Sequence, residues 1–251
     1  MHTWLTMIAI ILAAGRGTRM GALTESIPKP MLEVCGKNLV TWKLEALPEE
    51  ITEIVIVVGY MREQIIECFG TSWNNKKITY VIQENLTGTG GALELCKELL
   101  MYEERFLVLM GDDIYDPIDL KKLIKNTYSI LVADNGESGR KKAWQVFFDV
   151  DNNLEEIHQT VEEKTSTFIN AGAYCLGQEY FLAGLQMMGN GEYSIPHTLV
   201  AMISGSKESD SPIKMQVVMA KKWLQLTDPE SIIEAEKYVE DSVLLLTGVY
   251  N

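Results

Sequence analysis

The stretch ILAAGRGTRMGALTESIPK, residues Ile11–Lys29, runs from an apolar strand into a turn rich in glycine. Glycines let the backbone approach an anion closely, and successive N–H groups in such a turn form an anion-binding concavity. Arg16, Arg19 and Lys29 add positive charge to the same segment. The pattern therefore predicts a phosphate-binding loop after a buried strand. The loop residues expected to contact phosphates are Leu12, Ala13, Ala14, Gly15, Arg16, Gly17 and Thr18.

The rest of the chain is acidic, with a formal net charge of −13 over 251 residues. Only a focused positive site can attract a polyphosphate against such a field. The basic loop is therefore a more specific indication of phosphate binding than it would be in a basic chain. The acidity also argues against a nucleic-acid partner, because no basic stripe is present. The start Met1–Trp4 lacks the basic region of a signal peptide, and no apolar run approaches ~20 residues. We expect a cytoplasmic protein without a membrane partner.

The order of apolar segments predicts an α/β fold. Short apolar runs such as Met7–Leu12 and Ile54–Val58 alternate with helical patterns such as Leu39–Leu47. Repeated βαβ units predict a three-layer αβα, Rossmann-like domain with a mixed, mostly parallel sheet. From about Ile130 the strands have fewer helices between them, which predicts an antiparallel part. No linker or repeat interrupts residues 1–251, so we expect one domain. Ligands should bind at the carboxyl ends of the strands.

Two further motifs follow predicted strands. Gly111-Asp112-Asp113 comes directly after the apolar run Phe106–Met110, where a carboxylate can hold Mg²⁺ against phosphate oxygens. The alternative is that an aspartate here caps the next helix. Gln83–Ala92, QENLTGTGGA, is a second glycine-rich turn before a helix. The amide of Gln83 and the backbone of Gly88, next to Thr89, can recognise a base edge, with a pyrimidine favoured. Close packing of the helix start explains these glycines equally well.

These motifs resemble those of the nucleotidylyltransferase superfamily, in particular the sugar-1-phosphate nucleotidylyltransferases. LAAGRGTRM matches the glycine-rich signature, Pro28-Lys29-Pro30 matches the family's lysine, and GTGGAL and GDD fall at similar relative positions. Glu162-Glu163-Lys164 is similar to the sugar and phosphate contact, and Ile169–Gly172 is similar to the second sugar-binding strand. The resemblance covers nearly the whole chain.

The resemblance implies an Mg²⁺-dependent enzyme that transfers a nucleoside monophosphate from CTP or UTP to a sugar 1-phosphate and releases pyrophosphate. Such enzymes make nucleotide sugars, which serve as precursors of cell-surface polysaccharides. Arg19 would hold the β and γ phosphates, Lys29 would neutralise the α-phosphate, and Asp112 would bind Mg²⁺. On the acceptor side, the resemblance assigns the acceptor's phosphate to Lys164 and the sugar hydroxyls to Glu163 and Asn170.

The chain departs from this family pattern at the second metal ligand. Family members usually carry an aspartate where this sequence has Gln225, and an amide oxygen can ligate Mg²⁺ but brings no charge. Asp228 can substitute if its loop bends inward, or it can cap the helix that begins at Pro229. The neutral Gln225 is the feature that favours a third interpretation, a non-catalytic homologue that senses nucleotides.

A second departure concerns the acceptor. Sugar-specific members usually have a glycine in the strand where this chain has Trp144. A tryptophan there is similar to phosphocholine cytidylyltransferases, because the face of an indole attracts a quaternary ammonium. Core packing is the alternative role for Trp144. The expected ligands are thus a nucleoside triphosphate and a small phosphorylated acceptor, either a sugar phosphate or an amine-bearing or amino-acid-type phosphate. The sequence is compatible with a homo-oligomer and does not define one.

Overall fold

The computed structural model describes residues 7–134, 143–159, 166–205 and 212–247, with side chains up to residue 240. The strands are β1 (Met7–Ala13), β2 (Glu33–Val34), β3 (Lys37–Asn38), β4 (Ile51–Val58), β5 (Ser72–Trp73), β6 (Lys76–Ile82), β7 (Phe106–Met110), β8 (Asp113–Tyr115), β9 (Ser129–Asp134), β10 (Trp144–Phe148), β11 (Leu154–Gln159), β12 (Phe168–Leu176), β13 (Gln216–Met219) and β14 (Trp223–Gln225). The helices are α1 (Leu39–Ala46), α2 (Arg62–Phe69), α3 (Gly88–Glu94), α4 (Lys97–Leu100), α5 (Pro117–Leu123), α6 (Glu179–Leu182), α7 (Ile195–Ser204) and α8 (Pro229–Thr247).

The main sheet is parallel at its centre and antiparallel toward one side. Strands β7, β1, β4 and β6 are parallel neighbours in that order. Beyond β7, strand β12 runs antiparallel to β7, β9 and β10, and β10 pairs antiparallel with β11. This confirms the mixed sheet and the change of pattern predicted after Ile130. The central parallel strands all end at the same edge of the sheet, where the predicted motifs lie.

Apolar side chains cover both faces of the sheet, which gives the three layers. Along β1, Ala9 and Ile11 belong to one core cluster, whereas Ile10 and Leu12 belong to the other. Successive strand residues point to opposite faces, so a wholly apolar strand must be buried on both sides. Helices α1, α2 and α5 contribute to the first cluster, and α3, α4, α6 and α7 contribute to the second.

A small two-stranded sheet lies beside the main one. In it, β14 pairs antiparallel with β8, so that Gln225 is the partner of Asp113. A third core cluster packs α8 against this sheet through Ala235, Leu226 and Ile114. The sheet therefore brings the segment after Gly111 together with a segment more than a hundred residues later. Within the described part of the chain, no helix has the length and apolar content to cross a membrane.

Three segments differ from what the sequence pattern predicts. The apolar spacing of Gly90–Leu100 predicts one helix, but the structure has two, α3 and α4. The pattern of Glu179–Met188 predicts a helix to Met188, but α6 ends at Leu182, because Gly184 follows with a φ of +74° that breaks the helix. The apolar run Ile213–Met219 predicts a strand, of which only Gln216–Met219 forms one.

The four cysteines are far apart in sequence, without metal-ligand spacing, which predicts reduced and mostly buried thiols. Cys96 and Cys175 are buried, but Cys35 and Cys68 are exposed.

Candidate active site

The glycine-rich loop and the GDD turn lie side by side because β1 and β7 are parallel neighbours. The Gly111 N–H donates to the Leu12 carbonyl at 2.9 Å. A Cβ at position 111 would lie 2.3 Å from that carbonyl oxygen, so the approach of the two turns requires glycine. The sequence thus places Asp112 beside the phosphate loop through a backbone contact.

Lys29 packs directly against the glycine-rich loop. Gly17 has a φ of +66°, and a Cβ there would lie 2.6 Å from the Cβ of Lys29. Gly17 precedes a 3₁₀ segment, Thr18–Thr24, and Lys29 opens a second one, Lys29–Met31. The glycine therefore supplies a left-handed conformation and also the space that the lysine side chain occupies.

The predicted lysine and metal-binding aspartate are in contact. Lys29 Nζ donates to Asp112 Oδ2 at 2.5 Å, and their side chains are 8% and 27% exposed. A charge-assisted hydrogen bond of this length holds both groups at one point. Chain segments 83 residues apart therefore meet at a carboxylate–ammonium pair.

The second glycine-rich turn is packed against the entrance of α7. The N–H of Gly90 donates to the Tyr193 carbonyl at 2.9 Å, and the Tyr193 N–H donates to Thr87 O at 2.8 Å. A Cβ at Gly88 would lie 2.3 Å from the same Tyr193 carbonyl oxygen. The packing interpretation of these glycines is therefore correct, and it fixes the loop that also lines the cavity described next.

Gln83 is nearly buried, and its amide nitrogen is engaged by its own loop. Nε2 donates to Thr87 Oγ1 at 3.3 Å and to the Gly88 carbonyl at 3.2 Å. An amide nitrogen has two donors, so the carbonyl oxygen Oε1 is the atom that Gln83 presents to a ligand. The sequence prediction that the amide offers donor and acceptor together is thus corrected to an acceptor alone.

A cavity of about 530 Å³ brings all the predicted nucleotide-binding and catalytic residues together. Its lining includes the predicted residues Leu12, Ala13, Ala14, Gly15, Arg16, Gly17, Thr18, Arg19, Lys29, Gln83, Gly88, Thr89 and Asp112. Pro30, Leu86, Ala92, Met110, Gly111 and Glu192 complete it. We call this the nucleotide cavity.

A second cavity of about 420 Å³ adjoins the first. Trp144 and Asn170 line it, as the sequence predicts for the acceptor side, and so does Gln225, the candidate second metal ligand. The residues that line both cavities are Arg19, Gly88, Thr89, Met110, Asp112 and Glu192. We call it the acceptor cavity. Asp112 and Arg19 therefore stand at the junction where two bound ligands would meet.

Within the acceptor cavity, Asn170 is fixed by its own strand. Its Nδ2 donates to the Tyr174 hydroxyl at 2.7 Å, and its Oδ1 accepts from the Gly172 N–H at 2.9 Å. Each group keeps one further hydrogen-bonding position, so Asn170 can still contact a hydroxyl. The other predicted acceptor contacts, Glu163 and Lys164, lie outside the described residues.

Trp144 both lines the acceptor cavity and packs against the second core cluster. Its indole meets the His197 ring edge-on, with centroids 4.8 Å apart. Ser194 Oγ lies 2.9 Å from Nδ1 of that histidine and also accepts from its N–H, which caps α7. Burial lowers the pKa of His197, so the neutral ring is favoured beside the indole. The wall role and the packing role of Trp144 are thus both present.

The two proposals for a second metal ligand differ in position. Gln225 lines the acceptor cavity with Asp112. Asp228 caps α8 instead: its Oδ1 accepts from the Ser231 N–H at 3.0 Å, and its Oδ2 accepts from Thr227 Oγ1. Asp228 does not line either cavity, so the structure corrects its metal role to helix capping. In the part of the chain that is described, no group of three or more acidic, histidine or cysteine side chains could hold a metal.

A buried pair of charges behind the GDD turn was not foreseen from the sequence. Asp113 is fully buried, and its Oδ2 accepts from the Tyr115 hydroxyl at 3.1 Å. Burial raises the pKa of Asp113, and the charge of Lys43 opposes that rise. Lys43 on α1 is itself fully buried and donates to the Leu39 carbonyl at 3.0 Å, and burial lowers its pKa to about 8.

Other lining residues were also missed. Glu192 and Tyr193 come from the segment before α7, and Tyr174 comes from β12. The positions of Glu192 and Tyr193 follow from the packing of their segment on the GTGGAL turn, about a hundred residues away in sequence. The sequence of Glu192–Pro196 predicts a helix entry near the acceptor pocket, but no local pattern indicates which of its residues line the cavity.

Comparison with known proteins agrees with this geometry. A family model described as nucleotidyl transferase matches residues 8–135. Bifunctional protein GlmU of Methanococcus maripaludis strain C5 is 38% identical over 241 residues, which cover 95% of this chain and 56% of that protein. UTP--glucose-1-phosphate uridylyltransferase AglF of Haloferax volcanii is 28% identical, covering 96% of this chain and 100% of that protein. The chain spans about half the length of the GlmU relatives that it matches.

A solved structure shows the same fold. UDP-glucose pyrophosphorylase complexed with UDP-glucose superposes with a TM-score of 0.76 at 21% identity, over 94% of this chain and 99% of that one. The region matched by the family model contains the glycine-rich loop, the GTGGAL turn and the GDD turn, which together line the nucleotide cavity. This chain therefore belongs to the nucleotidyl transferase family.

Proposed function

We propose that this chain transfers a nucleoside monophosphate from a nucleoside triphosphate to a sugar 1-phosphate and releases pyrophosphate. The observation that carries the proposal is the junction of the two cavities. Asp112 and Arg19 line both, and Lys29 contacts Asp112 there. Two phosphates bound in adjoining cavities would meet at this point, which is the arrangement that in-line transfer requires. We also propose that the enzyme acts in the cytoplasm.

The chain's own residues supply alignment and charge. An acceptor phosphate oxygen attacks the α-phosphorus, and the bond between the α-phosphorus and the oxygen bridging to the β-phosphate breaks, so pyrophosphate leaves with that oxygen. We propose that Lys29 neutralises the α-phosphate and that Arg19 holds the leaving phosphates, since both line the nucleotide cavity. The backbone N–H groups of the glycine-rich loop add donors to the same charge.

The residues at the junction fit a magnesium ion in part. Mg²⁺ takes oxygen ligands and usually binds proteins through one or two carboxylates together with substrate phosphates. Asp112 supplies a carboxylate and Gln225 an amide oxygen, and both line the acceptor cavity. When bound there, the ion would polarise the α-phosphate and help to align it. Most of its remaining ligands would have to come from the nucleotide and water.

A pyrimidine triphosphate is the proposed donor. Gln83 lines the cavity, and because its own loop engages Nε2, Oε1 is the amide atom left to accept from a base, such as from the N3–H of uracil or the amino group of cytosine. The name of the AglF relative states UTP and glucose 1-phosphate. These points support a donor and acceptor of that kind for this chain.

A grid of pyrophosphate-release assays tests the proposal. ATP, GTP, CTP, UTP and dTTP would be combined with hexose 1-phosphates, phosphocholine and amino-alcohol phosphates, with Mg²⁺ present. We expect turnover with a pyrimidine triphosphate and a hexose 1-phosphate, and loss of it in the Lys29→Met variant. Nucleotide binding without turnover across the grid would favour the nucleotide-sensing interpretation instead.

One observation favours a second candidate function. Trp144 lines the acceptor cavity together with Tyr174, Tyr193 and Glu192, and aromatic faces beside a carboxylate attract an ammonium group. The second candidate is therefore a cytidylyltransferase acting on phosphocholine or another amine-bearing phosphate. Turnover only with CTP and an amine-bearing phosphate, together with a raised acceptor KM in Trp144→Leu, would establish this function and exclude the first.

A further inference from the structure

The described side chains around Asp112 include as many basic as acidic groups. Asp112 contacts the ammonium of Lys29 at 2.5 Å. Behind it, Asp113 and Lys43 are both buried and influence each other electrostatically. Arg19 and Glu192, which line both cavities, add one charge of each sign. These described side chains therefore give the junction little net negative charge with which to attract a divalent cation.

The side chain of Gln225 is neutral, so it adds no negative charge to the junction. Gln225 is the register partner of Asp113 and lines the acceptor cavity, so it stands where a carboxylate would add negative charge. Its amide oxygen can ligate a cation without attracting one from a distance. Asp112 is then the main electrostatic attraction, and its Oδ2 already accepts from Lys29.

Lys29 and a divalent cation compete for this carboxylate. An ammonium 2.5 Å from Oδ2 offsets the negative charge of the carboxylate that a metal would bind, and a metal on either oxygen would lie within a few ångströms of a like charge. Repulsion at such distances is large in a partly buried site, where solvent screens it weakly. Lys29 is 8% exposed and held by the glycine-rich loop, so it does not simply swing into water.

From this arrangement, and resting on the proposed function, we propose that Lys29 keeps divalent cations off Asp112 until a nucleoside triphosphate binds. The triphosphate supplies the negative charge that the junction lacks. Its α-phosphate offers the ammonium a new partner, and its oxygens offer the cation further ligands. Lys29 thus moves its charge from carboxylate to phosphate as the cation arrives with the nucleotide. The two ligands then bind in a fixed order, with the divalent cation binding after the triphosphate or together with it.

Mn²⁺ binding tests this order without reference to turnover. Free Mn²⁺ would be measured by electron paramagnetic resonance in titrations of the full chain, with nucleotide absent. We expect weak binding to the wild type, and binding at least about tenfold tighter to Lys29→Met, because a like charge has been removed from the carboxylate. Lys29→Gln serves as a second variant. Lys29→Met combined with Asp112→Asn should lose the added affinity.

A matched control and a nucleotide arm complete the experiment. Lys37 pairs with Glu45 on the surface, so Lys37→Met removes the same charge away from the junction and should leave Mn²⁺ binding unchanged. A methylene-bridged triphosphate analogue, which cannot react, should tighten Mn²⁺ binding to the wild type more than to Lys29→Met. Equal, tight binding of Mn²⁺ to wild type and Lys29→Met without nucleotide would overturn the proposal. The absence of pyrophosphate release, in contrast, would count against the proposed function alone.

Discussion

At the scale of single residues, the site depends on how closely Gly17 and Lys29 pack. The left-handed conformation at Gly17 can be tolerated by some other residues at a cost, but the 2.6 Å approach of a Cβ to the Lys29 side chain cannot. A larger residue must displace the lysine that the proposed reaction needs at the α-phosphate. Gly17 therefore affects the proposed reaction by leaving room for the side chain of Lys29.

Gly17→Ala should lower kcat/KM by about a hundredfold, since a displacement of roughly 1 Å in a catalytic group has effects of that size. Gly36→Ala is the control, because Gly36 also has a positive φ, +72°, but a Cβ there would meet nothing within 4 Å. Steady-state kinetics of the two variants would show the difference. Equal losses in both would mean that backbone strain, and not displacement of Lys29, is responsible.

Lys43 should make stability depend on pH in a particular direction. Burial lowers its pKa from 10.5 to about 8 in the folded chain, so between these values the unfolded chain binds a proton that the folded chain has lost. The free energy of unfolding contributed by this residue therefore rises with pH across that window. Urea unfolding at pH 7 and pH 9.5 should show wild type gaining stability relative to Lys43→Met. A difference between the two proteins that stays constant with pH would contradict the assignment.

The site residues that could be predicted from the sequence are those that lie in short local motifs. The phosphate loop, Lys29 and the GDD turn lie in short motifs after strands, and the fold brings such motifs to one edge. The burial of Lys43 could not be predicted, because a lysine within a helical pattern normally faces solvent. The direction of the Gln83 amide likewise depends on tertiary contacts with its own loop.

At the scale of elements, Asp119 holds the loop that leads into β14, the second strand of the small sheet. This fully buried carboxylate on α5 accepts from the N–H groups of Lys221 and Lys222 at 2.5 and 3.2 Å, just before β14, and pairs with Lys122 at 3.0 Å. It therefore fixes the loop that leads to Gln225. The periodicity of the sequence does not indicate β14, since three residues are too few for a strand prediction.

Asp119→Asn should destabilise the chain by about 3 kcal/mol, because it weakens a buried, charge-assisted network. Asp116→Ala provides the comparison on the same helix. Asp116 caps α5 through the Ile118 N–H at 2.7 Å on the surface, and loss of such a cap costs about 1 kcal/mol. Chemical denaturation would measure both values. A smaller loss for Asp119→Asn than for Asp116→Ala would refute the anchoring role.

At the scale of the whole molecule, the doubly covered sheet protects half of the thiols. Cys96 and Cys175 are buried in the core, and burial raises the pKa of each to about 12, whereas Cys35 and Cys68 are exposed. Titration with a thiol-specific disulfide reagent should modify two cysteines in the native chain and four after denaturation. Rapid native modification of all four would be inconsistent with the packing of both core clusters.

The three-layer architecture was predictable from the alternation of apolar segments, because βαβ units bury strands on both faces. The relation between the two cavities was not, since it depends on contacts between the GTGGAL turn and the segment before α7. These long-range contacts bring the two cavities together at Asp112, which lines both. The central claim is that a phosphate oxygen of the acceptor attacks the α-phosphorus at this junction.

Isotope labelling tests that claim most directly. A hexose 1-phosphate that carries ¹⁸O in all its phosphate oxygens would be incubated with the chain, UTP or CTP, and Mg²⁺. The masses of the products would be measured by mass spectrometry. The account predicts that all the label stays in the nucleotide-linked sugar and that pyrophosphate is unlabelled. Label in pyrophosphate or in free phosphate, or no nucleotide-linked product at all, would contradict it.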